Sequence, residues 1–467
     1  MKKKRALAVI LAATMVVGMV GCGSSSSTTT STSSSESEST ETEEESSSES
    51  ENTSAEETEE SETAHENVTL RFYNYALSET DKAEWWQDTI DDFTALYDWI
   101  DIETVVVDYN SMVTTLTNDL ASGLTADIIY GEISWIPALV DGGFIQDPAN
   151  VLSEDFYSGY YDYVLDQFTY EDTVYGVPHY FTNSVIYCNK DLIEAAGLSM
   201  DDFPDTEDGL KEWIETLDAY YEGDDSVTSI FGLTTAEVSA TGANINAIYP
   251  AFGGELITAD GELADLKSGD NYTAMTEMLD FYDYLISNGY TQENLKLKDY
   301  RSAFGAGNVC MYVDSSWGYA QISSQDENAA DFTVSASIPT TMGTNGTGGT
   351  IVESNCFLLG SGLSGDSAEA VDLFIQYCTQ ADTMQEYMTE IGLAFPAHED
   401  TAFIELSPIL EGAAEGIDNV IYQPLISSTS SVQVELATMV LNYVVNGMSA
   451  DEAIDSYITE AEYYINQ

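Results

Sequence analysis

From Val68 onward the apolar positions switch between two periods. Val68-Thr69-Leu70-Arg71-Phe72-Tyr73 reads as a strand. Between Asp81 and Tyr97, residues Trp85, Trp86, Ile90, Phe93 and Tyr97 fall near helical spacing, so a helix is expected there. Ile100 to Val107 is rich in β-branched residues and reads as a second strand. A helix follows from about Ser111 to Ser122, and then a short buried-type strand, Asp127-Ile128-Ile129-Tyr130. Another helix spans Ile136 to Asp141 and stops at Gly142-Gly143, a C-terminal cap signal. The β-α-β-α-β order predicts an α/β fold with a mainly parallel sheet. The stretch from 68 to 467, about 400 residues, is long enough for two lobes.

The first 67 residues follow neither period. Lys2, Lys3, Lys4 and Arg5 precede an almost wholly apolar run, Ala6 to Val20. That run is shorter than the roughly 20 residues of a membrane span and reads as a signal peptide over 1–21. It ends at Met19-Val20-Gly21-Cys22-Gly23, which resembles a bacterial lipobox. The resemblance implies that Cys22 is acylated and becomes the mature N-terminus, anchored on the outer face of the cell membrane. Residues 22–67 consist almost entirely of Ser, Thr and Glu, have nothing to bury, and are expected to be a disordered tether reaching roughly 35–40 Å.

Charge narrows the partners. There are 82 acidic against 12 basic residues, four of the latter in the signal itself, and the rest are scattered. Without a basic patch, nucleic-acid binding is excluded, as is adsorption to anionic lipid apart from the acyl anchor. Cys188, Cys310, Cys356 and Cys378 sit inside apolar runs and are expected as buried thiols; they lack zinc-site spacing. The three histidines are His65, His179 and His398, and no nucleophile-elbow, P-loop or zinc-protease motif occurs. Neither catalysis nor a cofactor or metal is expected.

Several segments together carry a family resemblance. Ala126-Asp127-Ile128-Ile129-Tyr130 with Leu139-Val140-Asp141-Gly142-Gly143-Phe144-Ile145 comes first. Tyr175-Gly176-Val177-Pro178, then Tyr187-Cys188-Asn189-Lys190-Asp191-Leu192 and Ala195-Ala196-Gly197-Leu198, follow. Phe304 to Tyr312 leading to Trp317, Ile338-Pro339 with Gly348-Gly349, and Gly392 to Ala397 complete the set. In order and spacing these resemble family 1 extracellular solute-binding proteins, the carbohydrate receptors of ABC importers. Cys188, Asn308 and Pro204-Asp205-Thr206 depart from the family's usual Tyr, Lys and "PxTW". The resemblance implies a two-lobed, type II periplasmic-binding-protein-like α/β fold with discontinuous lobes joined by a hinge. Lobe one is expected over 68–182 and 344–397, lobe two over 183–343 and 398–467. A monomer that hands a small solute to permease subunits is implied.

A sugar presents flat C–H faces and a rim of hydroxyls, which call for aromatic faces, carboxylates and amides. Ligands in open α/β sheets sit beyond the carboxyl ends of strands. The candidates just past strands are Asn74, Tyr75, Glu132, Trp135, Asp314, Trp317 and Tyr319, with His179 and Tyr180 at the first crossing and Gly348 and Gly349 at the return. Trp317 also matches a family position that stacks on sugar. Scarcity of Lys and Arg near these segments favours a neutral mono- or oligosaccharide, since an anionic solute requires buried cations. A polyamine, peptide or metal chelate is the alternative cargo, and a surface sensor or adhesin the alternative role.

Overall fold

Residues 65–467 are described by the computed structural model, apart from 81, 154, 327, 392–393, 402–407, 422 and 467. The segment 1–21, Cys22 and all but the last three positions of 22–67 lie outside the described residues. Those last positions belong to the folded unit: His65 stacks on Trp99 at 4.2 Å and the Glu66 amide donates to Asp366 at 2.9 Å. No helix among the described residues is long and apolar enough to cross a membrane.

The chain begins β1 Val68–Asn74, α1 Ala83–Leu96, β2 Ile100–Val105, α2 Tyr109–Ala121, β3 Ile128–Glu132 and α3 Ile136–Asp141. β4 Gly176–Thr182 closes this first passage and, after Asn183, β5 Ser184–Asn189 opens a second. There follow α4 Lys190–Ala195, α5 Glu207–Tyr221, β6 Ser229–Gly232, α6 Ser239–Ile248, α7 Gly269–Ser287, α8 Leu297–Gly305, β7 Val309–Ser315 and β8 Thr333–Ala336. The chain returns with β9 Glu353–Leu359, α9 Asp366–Thr379, α10 Ala381–Glu390 and β10 Phe395–Pro396. It then crosses once more to α11 Pro408–Gly416, α12 Thr429–Val444 and α13 Ala450–Ile465.

Local chemistry explains these elements. α1 buries Trp85, Trp86, Ile90 and Phe93, spaced so that they share one face. Proline stands in the first turn of α3, and the chain leaves that helix through Gly143 at φ 67, a conformation glycine adopts without a Cβ clash. The Asn189 side chain caps α4 by accepting from the Leu192 amide at 3.2 Å.

Two sheets result, in the orders β10-β4-β9-β3-β1-β2 and β8-β5-β7-β6. Each is the centre of one lobe, and each lobe is assembled from separate stretches of chain. The β1/β2 and β1/β3 pairs are parallel, as the alternating pattern predicts. The β6/β7 pair of the second sheet is parallel too, but the mainly parallel expectation fails elsewhere: β9 is antiparallel to both β3 and β4, and β5 to both β7 and β8. The physical reason is the crossing itself. β4 runs out toward the second lobe and β9 runs back from it, so the two must point in opposite directions.

The first apolar core centres on Phe72, Trp86, Tyr130, Phe357 and Phe374 and continues to Tyr187 and Tyr312 of the second sheet. The second holds Leu217, Ile245, Met278, Tyr282 and Leu436. The stretch before β9 is held by second-lobe elements: Thr341 accepts from the Glu207 amide at 2.8 Å, and the Thr347 amide donates to Ala251 at 3.2 Å. α6 and α12 meet at backbone distance, because a Cβ on Gly242 would lie 1.7 Å from the Gln433 carbonyl oxygen. That close approach sets both helices against the cavity described next.

Candidate functional site

A cavity of about 1060 Å³ lies between the two sheets. From the first lobe it is lined by the turn after β1, the start of α2, the end of β3 and the start of β9. From the second it is lined by α6, the start of α8, the segment after β7 and the first turns of α12. The carboxyl ends of β1 and β3 therefore point at it, as the rule for open α/β sheets requires.

Tyr75 and Glu132, both read from the sequence as site candidates, line this cavity. Tyr75 lies on Tyr130 at 5.7 Å and 25°, and the Asn355 side-chain amide donates to its hydroxyl. Tyr109 meets Tyr75 edge-on at 5.2 Å, and its hydroxyl donates to Glu132 at 2.7 Å. The Ser134 hydroxyl also donates to Glu132. Burial raises the Glu132 pKa, opposed by the hydrogen bonds from Ser134, Tyr109 and Trp135.

Other candidates lie elsewhere. Asn74 is fully buried, and its side-chain oxygen accepts from the Ala76 amide at 2.8 Å, capping the turn Tyr75–Ser78. Trp135 sits behind the tyrosine pair, 5.8 Å from both rings, and a Cβ on Gly131 would press on it at 2.8 Å. It supports the aromatic wall rather than lining the cavity. Tyr180 stacks on Tyr387 at 5.5 Å inside the first core, beside His179. His179 Nδ1 meets the Tyr130 hydroxyl at 2.9 Å, and burial pushes its pKa down to about 3. Neither residue reaches the cavity; aromatic neighbours enclose both.

Asp314 has no exposure and is consumed by an ion pair, accepting from Arg301 Nε at 2.7 Å and Nη2 at 2.8 Å. It also accepts from the Tyr312 hydroxyl at 2.9 Å and the Ser315 amide at 2.8 Å. Burial alone would lower the Arg301 pKa, but the Asp314 charge outweighs it and holds the guanidinium ionised. Tyr319 is half-buried and packs toward the first core. Gly348 and Gly349 are buried backbone positions, where a Cβ would meet Thr340 at 2.8 Å and Ile421 at 2.7 Å. The Trp317 side chain lies outside the described residues.

The sequence reading missed Tyr109, Asn355, Glu353, the Lys82–Glu79 pair (2.5 Å) and Arg301, all of which line the cavity. Tyr109 was findable, since it opens the helix just past β2. Asn355 was not: it faces Glu132 only through antiparallel pairing of β9 with β3. At the junction of the sheets the Ser315 hydroxyl donates to Glu353, the Thr182 and Ser316 hydroxyls bond each other, and the Tyr187 hydroxyl donates to the Ser316 carbonyl at 2.6 Å.

A family model described as bacterial extracellular solute-binding protein matches residues 88–405, and the chain belongs to that family. It is accordingly a solute-binding protein and not an enzyme. Curated binding proteins of Brucella abortus and Brucella suis are 24% identical over 226 residues, 48% of this chain and 52% of theirs. The chain thus spans about half the length of the curated relatives it matches. Among solved structures, a Thermotoga lettingae ABC transporter solute-binding protein bound with α-D-tagatose superposes with a TM-score of 0.74 at 19% identity, over 85% of this chain and 99% of that one. A chitin oligosaccharide binding protein gives 0.72 at 18%, over 86% and 100%. A maltose-bound protein of T. maritima gives 0.71 at 17%, over 85% and 99%. At such identities the likeness establishes the fold.

Proposed function

We propose that this protein is the receptor of an ABC importer, held on the outer face of the cell membrane through acylated Cys22, and that its solute is a carbohydrate bound in the interlobe cavity. The observation that carries the reading is the chemistry of the first-lobe wall. The rings of Tyr75 and Tyr109 stand beside the carboxylates of Glu132 and Glu353 and the amide of Asn355. Aromatic faces suit sugar C–H faces, and carboxylates and amides suit hydroxyls. Tagatose, maltose and chitin oligosaccharide in the names of proteins sharing the fold support the same class.

The cavity's buried cations are already engaged, Lys82 by Glu79 and Arg301 by Asp314. A carboxylated or phosphorylated sugar would meet no dedicated counter-charge, so the solute is non-anionic. A solute touching both walls favours the closed arrangement of the lobes, which the permease then engages. Trp317 is retained as a stacking residue on the strength of the family resemblance.

A thermal-shift panel of neutral sugars, amino sugars, amino acids and polyamines tests the reading. A native-state ligand at 100-fold excess over its Kd stabilises by roughly 2.7 kcal/mol. A shift with one sugar class is expected, and Tyr75→Ala or Tyr109→Ala should abolish it. A shift confined to amino acids would overturn the carbohydrate assignment. Cys22→Ala should move the protein from the membrane fraction to the medium, and retention on the membrane would refute the anchor.

A further inference from the structure

We infer that the solute carries a protonated amine, which seats against Glu132 beside the Tyr109 ring. This rests on the carbohydrate reading and narrows it to amino sugars, where the sequence had favoured a neutral one.

Glu132 is a carboxylate at the end of β3 whose hydrogen-bond donors are all neutral: Tyr109, Ser134 and the Trp135 indole. No ion pair to Glu132 occurs among the described residues, while the two cations buried nearby face Glu79 and Asp314. Lys296 and Lys298 line the opposite wall at the start of α8 and are exposed to solvent. Glu132 is not the wall's sole negative charge. The Tyr109 hydroxyl is pushed up first by burial and then by the charges of Glu132, Glu353 and Glu79 together.

Strand pairing brings Glu353 to the same wall as Glu132. Register sets Asn355 opposite Glu132, and Glu353 lies two positions away on the same face of β9. A half-buried carboxylate with only neutral donors is held at a cost, and an ammonium group offsets that cost by supplying both charge and N–H donors. The half-buried Tyr109 ring, bonded to Glu132 through its hydroxyl, stands beside the same cation. A plain hydroxyl at that point would leave Glu132 without a counter-charge.

The test is isothermal titration of the full chain with matched sets of sugars. Each set holds a monosaccharide or an α- or β-linked disaccharide as its 2-amino, 2-acetamido and 2-hydroxy forms, with spermidine as the non-sugar amine. The amino member of one set should bind at least about tenfold more tightly than its two partners. Glu132→Gln should erase that preference while leaving the melting temperature within a few degrees. The ranking within wild-type protein needs no variant, so a misfolded substitution does not blunt the test. Equal or tighter binding of the hydroxy or acetamido form overturns the amine inference and leaves the carbohydrate reading intact. Spermidine binding that Glu132→Gln abolishes, with no sugar bound, overturns the carbohydrate reading and supports amine recognition at Glu132. No binding of any member overturns both.

Discussion

Acidification should destabilise the first lobe through His179, and the size of the effect follows from its burial. The ring is 1% exposed and packed against Trp86, Tyr130, Phe357 and Tyr387. Burial lowers its pKa from 6.5 to about 3, because the imidazolium cannot be solvated there. The unfolded chain takes up a proton as the pH falls through 6.5, whereas the folded chain does so only near 3. The contribution is thus fully present above 6.5 and is lost progressively as the pH drops between these values. At about 1.36 kcal/mol per unit, moving from about pH 7.5 to about pH 4.5 removes about 2.7 kcal/mol. With 82 acidic residues the carboxylates add their own pH dependence, so the comparison must be differential. His179→Gln leaves every carboxylate in place and abolishes only this titration. Urea unfolding followed by tryptophan fluorescence reads the relevant cluster directly, since Trp85 and Trp86 both face the His179 ring. Wild type should lose about 2.7 kcal/mol more than the variant over that range. Parallel losses in the two proteins would refute the claim that His179 is held neutral.

Three further outcomes follow from the packing. Asp314→Asn leaves the buried Arg301 guanidinium without its counter-charge and should cost about 3–5 kcal/mol by chemical denaturation, whereas joint replacement of both partners by apolar residues should cost less. Gly242→Ala drives a Cβ into the Gln433 carbonyl, so α6 and α12 must part; a loss of about 1–3 kcal/mol in thermal melts, with weakened solute binding, is expected. Cys188, Cys310, Cys356 and Cys378 are buried free thiols whose pKa values burial raises, so a thiol reagent should label none of them in native protein and all four after denaturation.

Of the site, the sequence held what sits directly after a strand. Tyr75 and Glu132 were legible because strand ends are readable from β-branched and apolar runs, and ligands gather beyond those ends. Trp135, Tyr180 and His179 follow or lie in strands equally well, yet they face inward. Nothing in their neighbours along the chain distinguishes a ring that lines a cavity from one that backs it. Asp314 likewise looks like an available carboxylate until Arg301, one helix earlier, is folded onto it.

The sequence by itself determined the elements and their class. Period and capping are local: the face of α1 and the glycine exit from α3 are set within a few residues. The parallel β1, β2 and β3 core follows from the short crossover helices between those strands. What only the tertiary structure decided was direction and company: the antiparallel return of β9, the pairing of Arg301 with Asp314, and the meeting of Asn355 with Tyr75 across 280 positions. Such partners are chosen by burial and charge satisfied through space, where both residues contribute and neither alone carries the information.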